Sequence, residues 1–171
     1  MLLETPRLYF REINLSDAQA MFEMDSNPNI QKYVGNHPIK TIEQIQEVIS
    51  NFQNQYKEFG IARWAVIDKS SKQFLGWAGW KFINFELNGH SNHYDLGYRF
   101  LEKEWNKGYA SECVKALIEF GKTNFDCDKL FAYTDSQNQV SNHILQKNGF
   151  DLIETFIDEN GDICNWFKLQ K

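Results

Sequence analysis

Apolar residues recur along this chain with two periods, and the period changes where the elements change. From Arg7 to Ile13 polar and apolar residues partly alternate, which predicts a strand. Ser16, with Gln19 three residues on, has the form of a capping box and predicts a helix through about Asp25. Pro28 and the segment VGNHPIK predict a loop. Thr41 and Gln44 form a second capping box. Ile42, Ile45, Ile49, Phe52 and Tyr56 follow at helical spacing, so a long amphipathic helix is expected to about Phe59.

The pattern then turns to period two. IARWAVI (61–67) and FLGWAGWKFI (74–83) flank the turn-like DKSSKQ and predict a hairpin. In NHYDLGYRF (92–100) Tyr94, Leu96, Tyr98 and Phe100 face one way, and His93, Asp95 and Arg99 the other. After Gly108, Tyr109, Cys113, Ala116, Leu117 and Phe120 form an apolar stripe. Ser111, Glu112, Lys115, Glu119 and Lys122 form a wet one, as in a helix lying on a sheet. KLFAYT (129–134) predicts another strand. Asn138 opens a short helix that stops at Asn148-Gly149. Two last strands, about 150–157 and 163–169, are joined by DENGD, whose Asn160-Gly161 pair favours a type I′ turn. The order β-α-α-β-β-β-α-β-α-β-β is mixed α/β, and antiparallel hairpins around a single crossover helix do not make a doubly wound sheet.

Composition narrows the function classes. No internal repeat, low-complexity tract or Pro/Gly/Ser-rich linker interrupts the 171 residues, so one domain over 1–171 is expected. A net charge of −5 without a basic block disfavours nucleic acid. No apolar run is long enough to cross a membrane, and the first residues lack the form of a signal peptide. Cys113, Cys127 and Cys164 are odd in number and widely spaced, which predicts reduced thiols, no metal site and a cytoplasmic protein.

Two stretches carry candidate chemistry. Residues 105–111, WNKGYAS, follow a strand and open a helix, where unpaired N–H groups and the positive end of the helix dipole can hold an anion. Gly108, Ala110 and Ser111 permit close backbone approach, and Lys107 can add a charge; taken alone, the stretch reads better as an ordinary strand-to-helix turn. Neither GxGxxG nor GxxxxGK[ST] is present. The second stretch is NQVSNHILQKNGF (138–150), with Asn138 as N-cap and Ser141 at the same helix end; alone it reads as a capped amphipathic helix.

Together, the two stretches resemble the GNAT acetyltransferases, in particular the RimJ/RimL-like branch. That family carries Q/R-x-x-G-x-G/A after its fourth strand, here W-N-K-G-Y-A (105–110), followed by S-E-C where the branch often has T-E-A. The branch's N-x-x-S and K-x-G-F stand here as Asn138, Ser141 and KNGF (147–150). The opening LETPRLYFREINLSDA is similar to its T-x-R-L-x-L-R start. The resemblance spans essentially the whole chain. It implies an acyl-CoA N-acyltransferase fold, a mostly antiparallel twisted sheet flanked by about four helices, and acetyl-CoA as cosubstrate. The CoA pyrophosphate would sit on the amides of Asn106, Lys107, Gly108, Tyr109, Ala110 and Ser111. The pantetheine arm would run along Phe100 and Leu101, Asn138 would contact it, and Lys147 would reach a phosphate. Trp105 and Asn106 depart from the motif's usual Gln/Arg and Gly.

The resemblance also implies direct attack of an amine on the thioester, with no acyl-enzyme. The oxyanion donor would be a backbone N–H near Tyr98 or Arg99. Relatives often place a tyrosine acid four residues before the glycine of the GF ending; that position is Leu145, and Ser141 takes the role of leaving-group acid. Asp95 matches the branch's acidic position before Gly97-Tyr98 and is the candidate base, with a salt bridge to Arg99 or Arg63 as its other reading. His93 shares that face and titrates in a useful range. The acceptor, a primary amine such as a protein N-terminus, a polyamine or a drug, would lie between about residues 20–45 and the last hairpin. Trp64, Trp77, Trp80 and Phe82 could line that region, and Glu23, Asp25 and Glu86 could draw a cation into it. The competing reading is a non-catalytic acyl-CoA-binding or sensor module. Homodimers are common among relatives, and the terminal hairpin can add a sheet edge to a partner.

Overall fold

The computed structural model describes residues 2–171. The strands are β1 (Leu3–Glu4), β2 (Leu8–Glu12), β3 (Trp64–Asp68), β4 (Phe74–Ile83), β5 (His93–Phe100), β6 (Leu130–Asp135), β7 (Phe150–Ile157) and β8 (Ile163–Leu169). The helices are α1 (Ala18–Asp25), α2 (Pro28–Gln31), α3 (Ile42–Phe59), α4 (Tyr109–Asn124) and α5 (Gln139–Lys147). No helix of the described residues is long and apolar enough to cross a membrane.

Local chemistry decides the boundaries. At α3 the expected box holds, with Gln44 Oε1 accepting from the Thr41 amide at 3.1 Å. Before α1 the cap differs from the expected Ser16/Gln19. Asn14 accepts from the Ser16 amide at 2.9 Å, and Asp17 reaches back to the Asn14 amide at 3.0 Å. Arg11 also holds Asp17 through two bonds of 2.7 and 2.6 Å, so a 3₁₀ turn at Leu15–Asp17 precedes the helix. The expected loop at Pro28 begins with one helical turn, capped by Asn27 and started by proline. The β7–β8 turn is not type I′, because only Gly161 has a positive φ (86°). Asp158 accepts from the amides of Asn160 and Asp162, both at 2.9 Å, and the Gly161 amide closes on the Asp158 carbonyl. That is a type I turn followed by a left-handed glycine.

All eight strands form one sheet in the order β1-β2-β3-β4-β5-β6-β8-β7, antiparallel except for β5 against β6. On one face α4 and α5 cover Trp80, Leu96, Leu145, Phe150 and Phe167. α4 sinks deeper than its predicted stripe, since Val114, Ile118 and Gly121 are also buried. Trp80 Nε1 donates to the Leu117 carbonyl at 2.7 Å, satisfying its one polar atom inside the core. On the other face α1 and α3 cover Ala65 and Ile67 with Met21, Ile45 and Ile49. Ile45 and Ile49 are fully buried, each contributing about 1.5–3 kcal/mol relative to exposure.

Candidate active site

β5 and β6 share only two register pairs, Tyr94 with Leu130 and Asp95 with Phe131. Beyond them the strands part: β5 stays with β4 to Phe100, and β6 with β8 to Asp135. The parting opens a cleft of about 280 Å³. Asp95, Tyr98, Asn138, Ser141, Trp77 and Leu145 line its inner part. At its outer end the loop Tyr33–Gly35 meets the β7–β8 tip, and a Cβ on Gly35 would lie 3.8 Å from the Asn160 side-chain nitrogen.

The ladder decides which main-chain groups face this cleft. Leu101 donates to the Leu75 carbonyl at 2.9 Å. Antiparallel alternation therefore turns the odd-numbered residues of β5 toward β4 and the even-numbered ones away from it. Tyr98 and Phe100 lie beyond the last β6 pair, so their N–H groups point into the gap. The Phe100 carbonyl accepts from Trp105 Nε1 at 3.0 Å. Leu101 offers no free main-chain group, because its carbonyl accepts from the Glu104 amide. Arg99, the other residue considered for an oxyanion donor, turns its amide toward β4.

Arg63 anchors the centre. Its guanidinium donates to the Asp95 carboxylate and, at 2.5 Å each, to the main-chain carbonyls of Gly79 and Asp95. Gly97 makes the slot, since a Cβ there would sit 2.6 Å from Arg63 Nη2. Asp95 is 5% exposed, and its Oδ1 has no hydrogen-bond partner among the described residues. Burial pushes its carboxyl above the usual range, and Arg63 and then Lys81 pull the other way. Burial likewise pushes the Tyr98 phenol up to about 12, partly offset by its 3.4 Å bond to the Ser141 carbonyl.

The structure redistributes other expected contributors. Trp77 lines the cleft, flanked by Arg63 and Arg99 at 5.7 and 5.0 Å from its ring. Trp64, Trp80 and Phe82 belong to the core on the α4 face instead. Asp25 is bound by Arg99 at 2.5 Å and Glu23 by Lys103 at 2.9 Å, so neither stands free to draw a cation; Glu86 is exposed outside the cleft lining. His93 is 1% exposed, packs against Phe131 and Trp166, and is pushed down to about 4 by burial and then by His90. It is a neutral core residue, not one titrating near neutrality.

At the other end of the gap α4 begins on Gly108, left-handed at φ 80° and without a side-chain cap; Asn106 is also left-handed at φ 60°. The Glu112 amide makes the first intrahelical bond, to the Gly108 carbonyl, leaving the amides of Tyr109, Ala110 and Ser111 without helical acceptors. Arg7 clamps this turn by donating to the Lys107 carbonyl at 2.9 Å and to Glu112 at 2.6 Å. Glu112 is therefore a structural anchor rather than part of a wet stripe. Lys107 pairs with Glu104 at 2.9 Å.

A family model described as an acetyltransferase (GNAT) domain matches residues 7–151. The chain is a GNAT acetyltransferase. It is 28% identical over 163 residues to the Uncharacterized N-acetyltransferase YoaA of Bacillus subtilis, covering 94% of this chain and 90% of that protein. The fold matches a spermidine N-acetyltransferase from Vibrio cholerae solved with CoA and spermine (TM-score 0.76, 17% identity, 97% of each chain). It also matches RimL, a ribosomal alpha-N-protein acetyltransferase (TM-score 0.76, 14% identity, 97% and 91% covered).

GNAT acetyltransferases use acetyl-CoA, and this chain's groups suit it: bare amides at a helix start for an anion, and an unpaired strand edge for an amide-bearing arm. The α5 segment completes the cleft wall of the GNAT domain. Asn138 Oδ1 accepts from the Ser141 amide at 3.2 Å, and both residues line the cleft. Leu145, where relatives often carry tyrosine, is 1% exposed. Lys147 is exposed in the last turn of α5. Among the described residues no His/Cys/Asp/Glu group could hold a metal. Sequence reasoning missed Tyr98 as the strap to α5; of the two arginines it offered for Asp95 the structure selects Arg63, because the pairing of β3 with β4 and of β4 with β5 brings it to Gly97.

Proposed function

We propose that this GNAT enzyme transfers acetyl from acetyl-CoA directly to a primary amine. What supports it most is that an unpaired strand amide, a hydroxyl and a partly unpartnered carboxylate, those of Tyr98, Ser141 and Asp95, share one cleft. The names of RimL and of the spermidine enzyme point to a protein alpha-amino group and a polyamine, and a primary amine is what the two share. Sequence relatives named as N-acetyltransferases favour catalysis over a binding module.

The amides of Asn106–Ser111 hold the pyrophosphate. Tyr98 and Phe100 offer strand groups to the pantetheine, Asn138 donates to it, and Lys147 reaches toward a phosphate. The Tyr98 N–H stabilises the oxyanion as the amine attacks the thioester carbon. Asp95 takes the amine proton, directly or through a water. As the C–S bond breaks, the Ser141 hydroxyl passes its proton to the departing sulfur and is reprotonated from water, to which Asp95 returns the amine proton.

Amine-dependent release of free thiol from acetyl-CoA, measured beside calorimetric titration of the wild type and Gly108→Asp, tests this. Binding that is lost in the variant, together with thiol release over an amine panel, is expected. A folded wild type that binds acetyl-CoA without releasing thiol to any amine leaves the binding module, and one that binds nothing overturns the reading.

A further inference from the structure

The outer part of the cleft carries a charge arrangement that acetyl transfer alone does not use. Asp135, Asp158 and Asp162 all line it and surround Cys164. Asp135 is the register partner of Cys164 across β6 and β8, and Asp162 lies two residues before Cys164, just ahead of β8. Their nearness is felt there: burial and then Asp158, Asp135 and Asp162 push the Cys164 thiol up to about 12. All three carboxylates are half-buried, and none is paired with Lys, Arg or His among the described residues. Asp158 is occupied by the turn amides and Asp135 by the Gln137 amide at 2.7 Å, which orients both and neutralises neither.

The cations nearby are committed or sit elsewhere. Arg63 is held by Asp95 and Arg99 by Asp25; Lys81, the register partner of Asp95 on β4 and on the same sheet face, is half-buried and outside the cleft lining. Deeper in the same cleft the Oδ1 of Asp95 is buried and has no hydrogen-bond partner among the described residues. One end of the cleft thus lacks a hydrogen-bond donor, and the other has three carboxylates without a counterion. The Tyr33–Gly35 loop approaches the hairpin tip at the outer end, and the cleft is only about 280 Å³, so a slender chain fits the space better than a broad peptide face.

We infer that the acceptor is a small linear amine with at least two positive charges: its reacting nitrogen lies at Asp95 and a remote ammonium among Asp162, Asp158 and Asp135. This rests on the N-acetyltransferase reading above. The remote ammonium does no chemistry. It sets specificity, because desolvating those carboxylates without a cation is unfavourable, and a monoamine of equal length leaves them unpaired.

The test compares diaminobutane with butylamine as acceptors by thiol release, and titrates diaminobutane calorimetrically into the CoA-saturated protein. Wild type should favour diaminobutane by about tenfold or more in kcat/KM, the worth of one charge-assisted hydrogen bond. Asp162→Asn should shrink that ratio severalfold. Asp158→Asn, which keeps an acceptor oxygen for the turn, should do the same if the hairpin stays intact by thermal melting. Glu119→Gln, the same charge change on the outside of α4, should keep the ratio. Equal use of the two amines, or a ratio unmoved by Asp162→Asn, overturns the inference while the N-acetyltransferase reading stands. A lysine-first peptide used better than diaminobutane overturns the small-amine assignment. If neither amine releases thiol, the amine panel decides the reaction reading, and diaminobutane binding that weakens in Asp162→Asn still upholds the cation site; absent binding overturns it.

Discussion

The two halves of β5 differ in one respect: the first is hydrogen-bonded on both edges, and the second only on the side of β4. His93, Tyr94 and Asp95 belong to the closed half, where His93 and Asp95 are buried and Arg63 holds Asp95. Tyr98 and Phe100 belong to the open half, where strand amides face a cleft. A strand amide left without a partner is rare in a folded interior, and here the unpaired pair lies beside Ser141 and the bare start of α4. The difference teaches that the Arg63–Asp95 pair of the closed half ties stability to the proposed base, whereas the open half leaves main-chain groups free for the proposed cosubstrate. Substitutions in the two halves should therefore read out differently.

The largest effect belongs to the closed half. Arg63→Met leaves Asp95 as a buried, unpaired carboxylate and should cost about 3–5 kcal/mol in denaturant unfolding. A smaller cost would mean that water already reaches Asp95. Next comes the open half. Ser141→Ala should lower kcat about a hundredfold with little change in melting temperature, as expected for lost acid assistance. A fall in stability with unchanged kcat would make Ser141 a helix-end residue only.

His93 sharpens the comparison through pH. Its folded pKa of about 4 lies below the unfolded value near 6.5, so the unfolded state binds the extra proton. Its contribution is fully present above pH 6.5 and is lost as the pH falls toward 4. Urea unfolding should lose about 2 kcal/mol between pH 7.5 and 5 on this account, and His93→Gln should flatten the slope. The smallest effect is at the seam. Trp105→Phe frees the Phe100 carbonyl and should cost less than about 1 kcal/mol of stability while raising the acetyl-CoA KM a few-fold.

Much of the fold was legible. Thr41 with Gln44 announced α3 because a capping box is made by neighbours in the chain. The Asn14–Asp17 cap was not read, because Arg11 competes for Asp17 from the adjacent strand. Alternation already puts Trp77 and Trp80 on opposite faces of β4, yet which face borders a cleft depends on where β6 leaves β5. The carboxylates of Asp135, Asp158 and Asp162 are far from Asp95 in sequence and meet it only through the β6–β8–β7 pairing.

By itself the sequence determined every strand but the short β1, every helix but the single turn α2, their order, the start of α4 after Gly108 and the GNAT resemblance. Each of these rests on residues close along the chain or on a motif at set spacing. Only the tertiary structure decided that β5 and β6 part after Asp95, that Gly97 admits Arg63, and that Asp25 is paired while the hairpin carboxylates are not. Those outcomes depend on strand register and charge neighbours dozens of residues apart, which local periodicity does not encode.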